Sequence, residues 1–312
     1  MDKILVSSIT PCFRMKPYLK RFLDELPKQT IFNQIEIVLD HNEPDEEEIS
    51  WVKDFQQKYP GRIKHIIVPK VEPIGNSMNR CINESNGELL TIWNVDDLRT
   101  PNSLELQLKL LQENPDVGVA YGDYKVVRSF GATEGSIVHD EPIGEETTRS
   151  MIIGPFLMFR KNLIEKTGLF DESLKSGADF DLAIRLGFHT KAKMVNGLIG
   201  YYLNEGKGAS TRPGSLQSVE RTVIELRYGI FDKIDYDLVS RTVTYSIPYL
   251  TVNGEKVSVS NFVPKYKELI DLRREKWLKK GMRKFILQKV TFYKPIRAFL
   301  VTTAKKILQK IS

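Results

Sequence analysis

The chain has 312 residues, 41% of them apolar and 28% charged, with a net charge of +6. That length carries one large domain or two smaller ones with a real core, and so ordinary a composition excludes a disordered or fibrous chain. The charge is uneven. From Arg273 to Ser312, thirteen Lys and Arg stand against Glu275 alone, a charge of +12 that leaves −6 for residues 1–272. The basicity belongs to the tail, and the body shows no charge pattern for nucleic acid as a partner. Two cysteines, Cys12 and Cys81, give no disulfide framework and fit a reducing compartment. Neither a signal-peptide pattern after Met1 nor an 18-residue apolar window is read, so a cytoplasmic chain without a membrane span is expected.

Ile4–Thr10 reads as a strand, and Pro17–Leu26 as an amphipathic helix with proline in its first turn. Ile35–Leu39 is a strand ending at Asp40. Asp45–Tyr59 is helical, with Glu46, Glu47 and Glu48 where the helix dipole favours acids. The pattern then predicts a strand over Ile63–Val68, a helix over Gly75–Ser85, a strand over Glu88–Trp93, a helix over Pro101–Glu113 and a strand over Val117–Tyr121. Such alternation predicts an α/β fold with a mostly parallel sheet between helices. Ser129–Thr148 reads as a loop region, Met151–Arg160 as a strand and Asp181–Gly187 as a helix. Near residues 241–260, Asn253-Gly254 between apolar runs signals a hairpin.

Open sheets of this kind bind ligands at the carboxyl ends of their strands. Thr10-Pro11-Cys12, Asp40-His41-Asn42 and Asp96-Asp97 fall at such ends. The last pair closes the run TIWNVDD. Two adjacent carboxylates there are either a solvated turn or a seat for a hard divalent cation, Mn²⁺ or Mg²⁺, which binds few carboxylates together with substrate phosphates. Asp179 is either a helix cap or a general base. The chain lacks GxxxxGK[ST], GxGxxG after the first strand, GxSxG and any zinc spacing, which argues against P-loop, dinucleotide, serine-hydrolase and zinc chemistry. The four histidines are scattered and read as surface residues.

Four stretches in order carry a resemblance: SSITPCFRMKPYLKRFLDEL, IEIVLDHNEPDEEE, IGNSMNRCINESNGELLTIWNVDDLRTPNSLE and GLFDESLKSGADFDLAIRL. Together they resemble family 2 glycosyltransferases with the GT-A fold. The resemblance implies a Rossmann-like catalytic domain over residues 1–210, with a nucleotide-sugar-binding part to about 125 and an acceptor part beyond. Residues 211–312 would form a mostly helical extension. It also implies a metal-dependent, inverting hexosyltransferase that moves a sugar from a nucleotide-sugar, most often a UDP-sugar, to a hydroxyl of a glycan or lipid-linked acceptor in cell-surface polysaccharide synthesis. By the same resemblance Thr10, Pro11, Asp40, Asn79 and Asp96 bind the nucleotide-sugar, Asp97 ligates the cation, and Asp179 is the catalytic base. Arg185, Asp181 and Glu205 support the site. The chain departs from the family's pattern at Asn94, at His41 and at Ala178. It departs again at Glu205, where a histidine is usual. A non-catalytic scaffold of the same fold is the alternative.

The tail PIRAFLVTTAKKILQKIS spaces Ile296, Phe299, Leu300, Ala304, Ile307, Leu308 and Ile311 along one helical face. A basic amphipathic helix over 275–312 suits the inner surface of a membrane, and equally suits packing on the catalytic domain or on a second copy in a homo-oligomer.

Overall fold

The computed structural model describes residues 3–139 and 154–206, the helical positions Gln217, Glu220 and Ile224, and the strand backbone of residues 249–252 and 255–258. The chain divides into two compact units, Met1–Ile234 and Asp235–Ser312. The first extends past the boundary at 210 that the motifs mark, because Glu220 and Ile224 are buried within it. The basic tail, residues 140–148 of the expected loop and residues 151–153 of the expected strand lie outside the described residues.

The first unit opens with β1 (Val6–Phe13), α1 (Lys16–Glu25), β2 (Ile35–Asn42), α2 (Glu46–Lys58), β3 (Ile63–Val68), α3 (Ile74–Glu84) and β4 (Leu89–Ile92). These follow the predicted alternation. Pro17 starts α1. Asp45 and Glu48 close a capping box on α2, each carboxylate accepting the other residue's backbone N–H at 2.9 Å. The unit continues through β5 (Leu98–Arg99), α4 (Ser103–Glu113), β6 (Val117–Val127), β7 (Ser136–Val138), β8 (Met158–Arg160), α5 (Ile164–Thr167), α6 (Ala178–Gly187) and β9 (Lys191–Leu203).

The strand order is β3-β2-β1-β4-β8-β6-β9-β5, with β7 on β6. β3, β2, β1 and β4 run parallel, as do β6 and β9. β8 runs antiparallel between β4 and β6, and β5 and β7 are also antiparallel, so the sheet is mixed. Both faces are covered. Leu19 and Phe22 of α1, Val52 of α2 and Leu104 of α4 pack on one side; Met78 and Ile82 of α3 and Leu182 of α6 pack on the other.

The strand read over Met151–Arg160 is confined, among the described residues, to β8, and β7 lies within the expected loop region; three further differences have a tertiary reason. β6 runs to Val127, through Gly122 and Asp123, because register shifts against β9 absorb the irregularity. A Cβ at Gly122 would sit 2.7 Å from Val195 Cγ2, so glycine permits that approach. The long strand β9 was not predicted, since Asn196-Gly197 breaks its pattern, with Gly197 at φ +127°. α6 begins at Ala178, which puts Asp179 inside its first turn. In the second unit β10 (Tyr249–Val252) pairs antiparallel with β11 (Glu255–Ser258) in the register expected for a two-residue Asn253-Gly254 loop.

β1 leads to β2 and β3 on one side, while β4 lies on its other side. The chain therefore reverses direction across the sheet between β1 and β4, and a crevice opens at their carboxyl ends. Pairing of β1 with β4 ends at Ile9↔Ile92. Beyond it, Thr10–Phe13 continue along β2 while residues 93–97 turn away.

Candidate functional site

The turn after β4 carries the acidic pair. Trp93 donates its indole N–H to the Asp97 carbonyl at 3.0 Å, and the Asp97 N–H bonds the Asn94 carbonyl at 3.1 Å. The Asp97 side chain is 2% exposed. Its Oδ1 accepts the Leu203 N–H at 2.9 Å, tying β4 to the end of β9, and its Oδ2 faces the Asn94 amide at 3.3 Å. Asp96 is partly exposed. The two positions therefore differ in kind: Asp97 braces two strands, and Asp96 meets solvent.

A buried cation lies beneath them. Arg99 donates to Gln107 at 3.0 Å, to Thr91 Oγ1 at 2.6 Å and to the Ile92 carbonyl at 3.0 Å, between the rings of Trp93 and Phe156. Burial lowers its pKa to about 9, against the pull of Asp97. Burial and then the neighbouring Asp96 hold the Asp97 carboxyl well above the ordinary range. Leu203, Asn94 and Arg99 oppose that rise. Burial raises Asp96 as well, with a further push from Glu205. Glu205 follows β9 and accepts a hydrogen bond from the Tyr18 hydroxyl of α1 at 3.1 Å.

At the ends of β1 and β2 the predicted residues are largely engaged. Thr10 is buried, its hydroxyl 2.9 Å from that of Ser8, so backbone rather than side chain faces the crevice there; Pro11 is partly exposed. Asp40 is 0% exposed. It accepts from Arg80 Nε at 2.5 Å and from the Asn42 amide at 2.7 Å, and Arg80 also reaches Glu72 at 2.6 Å. Asn79, expected at the nucleotide-sugar, is turned to another task. Its amide donates to the Phe170 carbonyl at 3.0 Å and to Glu172 at 2.9 Å, and its oxygen accepts the Phe170 N–H at 2.8 Å. The expectation of surface histidines fails for His41, which is fully buried, its Nδ1 3.2 Å from His65 Nε2. Burial lowers both rings to about 4, so they are neutral at pH 7. The Cys12 thiol, pushed up by burial, is no nucleophile.

The third station is α6. Asp179 accepts the Phe180 N–H at 2.8 Å. Burial, and then the charge of Glu220, raise its carboxyl above the usual value. It is not the helix cap, because Gly177 holds that position. Arg185 pairs with the buried Asp181 at 2.8 Å and donates to the carbonyls of Thr167 and Gly168, which locks α6 to the turn after α5.

Sequence reasoning missed Arg80, Arg99, Tyr18 and Glu220. Arg99 did leave a signal: a lone cation two residues after an acidic pair that closes an apolar strand. The others are brought in by distant elements. Among the described residues no three His, Cys, Asp or Glu side chains converge to cage a metal. The donor set instead suits a cation bound by one or two carboxylates, Asp96 with Glu205 nearby, and completed by ligand oxygens.

Comparison with known proteins agrees with this architecture. The family described as Glycosyl transferase family 2 matches residues 7–168. A protein of Methanocaldococcus jannaschii described as an uncharacterized glycosyltransferase is 29% identical over 197 residues, covering 59% of this chain and 65% of its own length. Chondroitin synthase of Escherichia coli is 22% identical over 218 residues, covering 68% of this chain and 31% of its own length. The chain thus spans less than two thirds of these relatives. The crystal structure of S. aureus TarS 1–349 in complex with UDP-GlcNAc superposes with a TM-score of 0.61 at 16% identity, over 78% of this chain and 73% of the other. That likeness establishes the shared fold. Among the described residues no helix is long and apolar enough to cross a membrane.

Proposed function

Because the chain belongs to glycosyl transferase family 2, we propose that it is an inverting, cation-assisted hexosyltransferase. It takes a sugar from a nucleotide-sugar, a UDP-sugar before others, and delivers it to a hydroxyl of a glycan or lipid-linked acceptor in cell-surface polysaccharide synthesis. The observation that carries this reading is the partly exposed Asp96, next to the buried Asp97 and Arg99 at the sheet's switch point. The relative named chondroitin synthase supports polysaccharide as the product class, and the TarS complex supports a UDP-sugar as donor.

In this reading the backbone of Thr10 and Pro11 lines one wall, and Asp40, fully buried and held by Arg80 and Asn42, braces the end of β2 behind that wall rather than meeting the base or ribose as the resemblance implied. Asp96 holds the cation, Glu205 stands behind it, and Asp97 fixes the turn. This exchanges the roles that the resemblance gave the two acids, since a side chain 2% exposed and bonded to Leu203 is poorly placed to meet a ligand. When bound, a divalent cation neutralises charge developing on a leaving diphosphate. Asp179 takes the proton of the attacking acceptor hydroxyl, and its raised pKa suits a base that must bind a proton near neutral pH. Arg185 and Asp181 keep α6 in place. A peripheral seat at the cytoplasmic membrane face through 275–312 belongs to the same proposal.

Calorimetric titration of UDP, GDP, dTDP and CDP with and without Mn²⁺, against wild type, Asp96→Ala and Asp97→Ala, tests the reading. One nucleotide should bind with Mn²⁺ and lose that dependence in Asp96→Ala, while Asp97→Ala should first lose stability. A chain that binds none of the four is no transferase of this kind. Binding without sugar release in the presence of acceptors would instead favour the scaffold, a reading to which Ala178 lends weight by standing where the resemblance puts a glutamate.

A further inference from the structure

Glu220 lies beyond every stretch that carries the family resemblance, yet it is 8% exposed. Its carboxylate accepts three successive backbone N–H groups: Lys175 at 2.8 Å on one oxygen, Ser176 at 2.6 Å and Gly177 at 2.8 Å on the other. Those amides belong to the turn that leads into α6, and the last of them is that of the cap residue Gly177. Gln217, Glu220 and Ile224 are helical positions spaced to share a face. Ile224 is 0% exposed and packs in the core cluster that holds Ala178 and Phe180. A Cβ on Gly177 would stand 2.9 Å from Ile224 Cδ1 and 3.2 Å from Glu220 Cβ, so the two segments touch at a point where glycine is needed. Asp179 is two residues further on.

We propose that Glu220 is a positioning residue for Asp179: it clamps the 175–177 turn and fixes where the first turn of α6 presents that carboxylate. The proposal rests on the reading of Asp179 as the base. The physics favours an anion here. A helix start attracts negative charge, and an Asp in the first turn would ordinarily be stabilised in its ionised form. Glu220, seated on the amides just ahead of that helix start, places a like charge beside it, and its field acts against ionisation of Asp179. The other charged groups on α6 and the turn before it have their own bonds or lie exposed. Asp181 is paired with Arg185 at 2.8 Å, Glu172 accepts from Asn79 at 2.9 Å, Asp171 accepts the Ser173 N–H at 2.9 Å, and Lys175 is exposed.

The test is a ¹³C-carboxyl NMR titration of the full chain labelled at aspartate and glutamate, with the Asp179 and Glu220 signals assigned from Asp179→Asn and Glu220→Gln. It needs no substrate. Asp179 in wild type should titrate above an ordinary aspartate. Glu220→Gln should move that titration to lower pH, and Glu220→Asp, which keeps the charge on a shorter arm, should largely restore it. With the donor named by the nucleotide titrations, the acidic limb of turnover in Glu220→Gln should shift the same way, with the donor KM unchanged. A clamp that merely holds the fold would lower activity at every pH and leave the limb in place. An Asp179 titration identical in wild type and Glu220→Gln overturns the proposal. Should Glu220→Gln not fold, the wild-type curve decides. Asp179 must then report a second inflection coincident with the Glu220 carboxyl, and a single unperturbed step is fatal. A coupled titration together with full transfer activity in Asp179→Asn overturns the proposal through the base assignment rather than through Glu220.

Discussion

The strand end that carries Asp96-Asp97 and the helix start that carries Asp179 both hold buried acid, and they are braced in opposite ways. Beneath the strand end lies a cation, Arg99, fixed by Gln107, Thr91 and the Ile92 carbonyl. Against the helix start lies an anion, Glu220, fixed by three amides. Burial raises both the Asp97 and the Asp179 carboxyl; Arg99 opposes the rise at Asp97, whereas Glu220 adds to it at Asp179. The first arrangement suits a place that must carry negative charge toward a cation. The second suits a group that must take a proton. One sheet can host both because its switch point and the start of α6 are supplied by separate stretches of chain.

The largest way to break the contrast is at the proton acceptor. Asp179→Asn should lower turnover by roughly 10²–10⁴-fold, the usual range for a lost general base, while nucleotide affinity by calorimetry stays put. An active Asp179→Asn enzyme removes Asp179 from the chemistry. Arg99→Met comes next. It removes the donor shared by Gln107, Thr91 and the Ile92 carbonyl, leaves those buried acceptors unmet, and should cost about 1–3 kcal/mol in denaturant unfolding; an unchanged midpoint would mean that the turn does not rest on Arg99.

The acid pair also sets two pH dependences of smaller size. A proton held above the usual carboxylate range competes with any cation, so Mn²⁺ affinity should fall as pH falls through that raised value. Binding at Asp96, whose carboxyl burial raises, should release protons, as calorimetry in buffers of different ionisation enthalpy will show. For stability the sign is the opposite of the common aspartate case. The folded state binds more protons than the unfolded one above an ordinary Asp pKa of about 4, so stability falls as pH rises from there. Asp97→Asn, which can still accept the Leu203 N–H, should flatten that fall in thermal melts across pH. The smallest effect is expected at the support. Tyr18→Phe removes one hydrogen bond to Glu205 and should cost about 0.5–1.5 kcal/mol, read as a modest drop in melting temperature.

Much of this was legible in the chain. The alternation of β1 to β4 with α1 to α3, the Asn253-Gly254 hairpin and the acids at strand ends are local signals, carried by period, capping chemistry and turn residues. The strand β9 and the continuation of β6 were not, because their irregularities are absorbed by pairing with each other. Asn79 shows the limit at the level of one side chain. The helix was predicted, but that its amide would be spent on the Phe170 backbone depends on a segment 91 residues away.

By itself the sequence determined that an acidic pair would stand at the carboxyl end of a central strand, and that Asp179 would stand near a helix start. Periodicity and neighbours along the chain suffice for that. The tertiary structure alone decided which acid is exposed and which is buried, that Arg99 underlies one station and that Glu220 seals the other. Burial and charge at these sites come from residues far apart in the chain, and desolvation and Coulomb fields act through space rather than along the sequence.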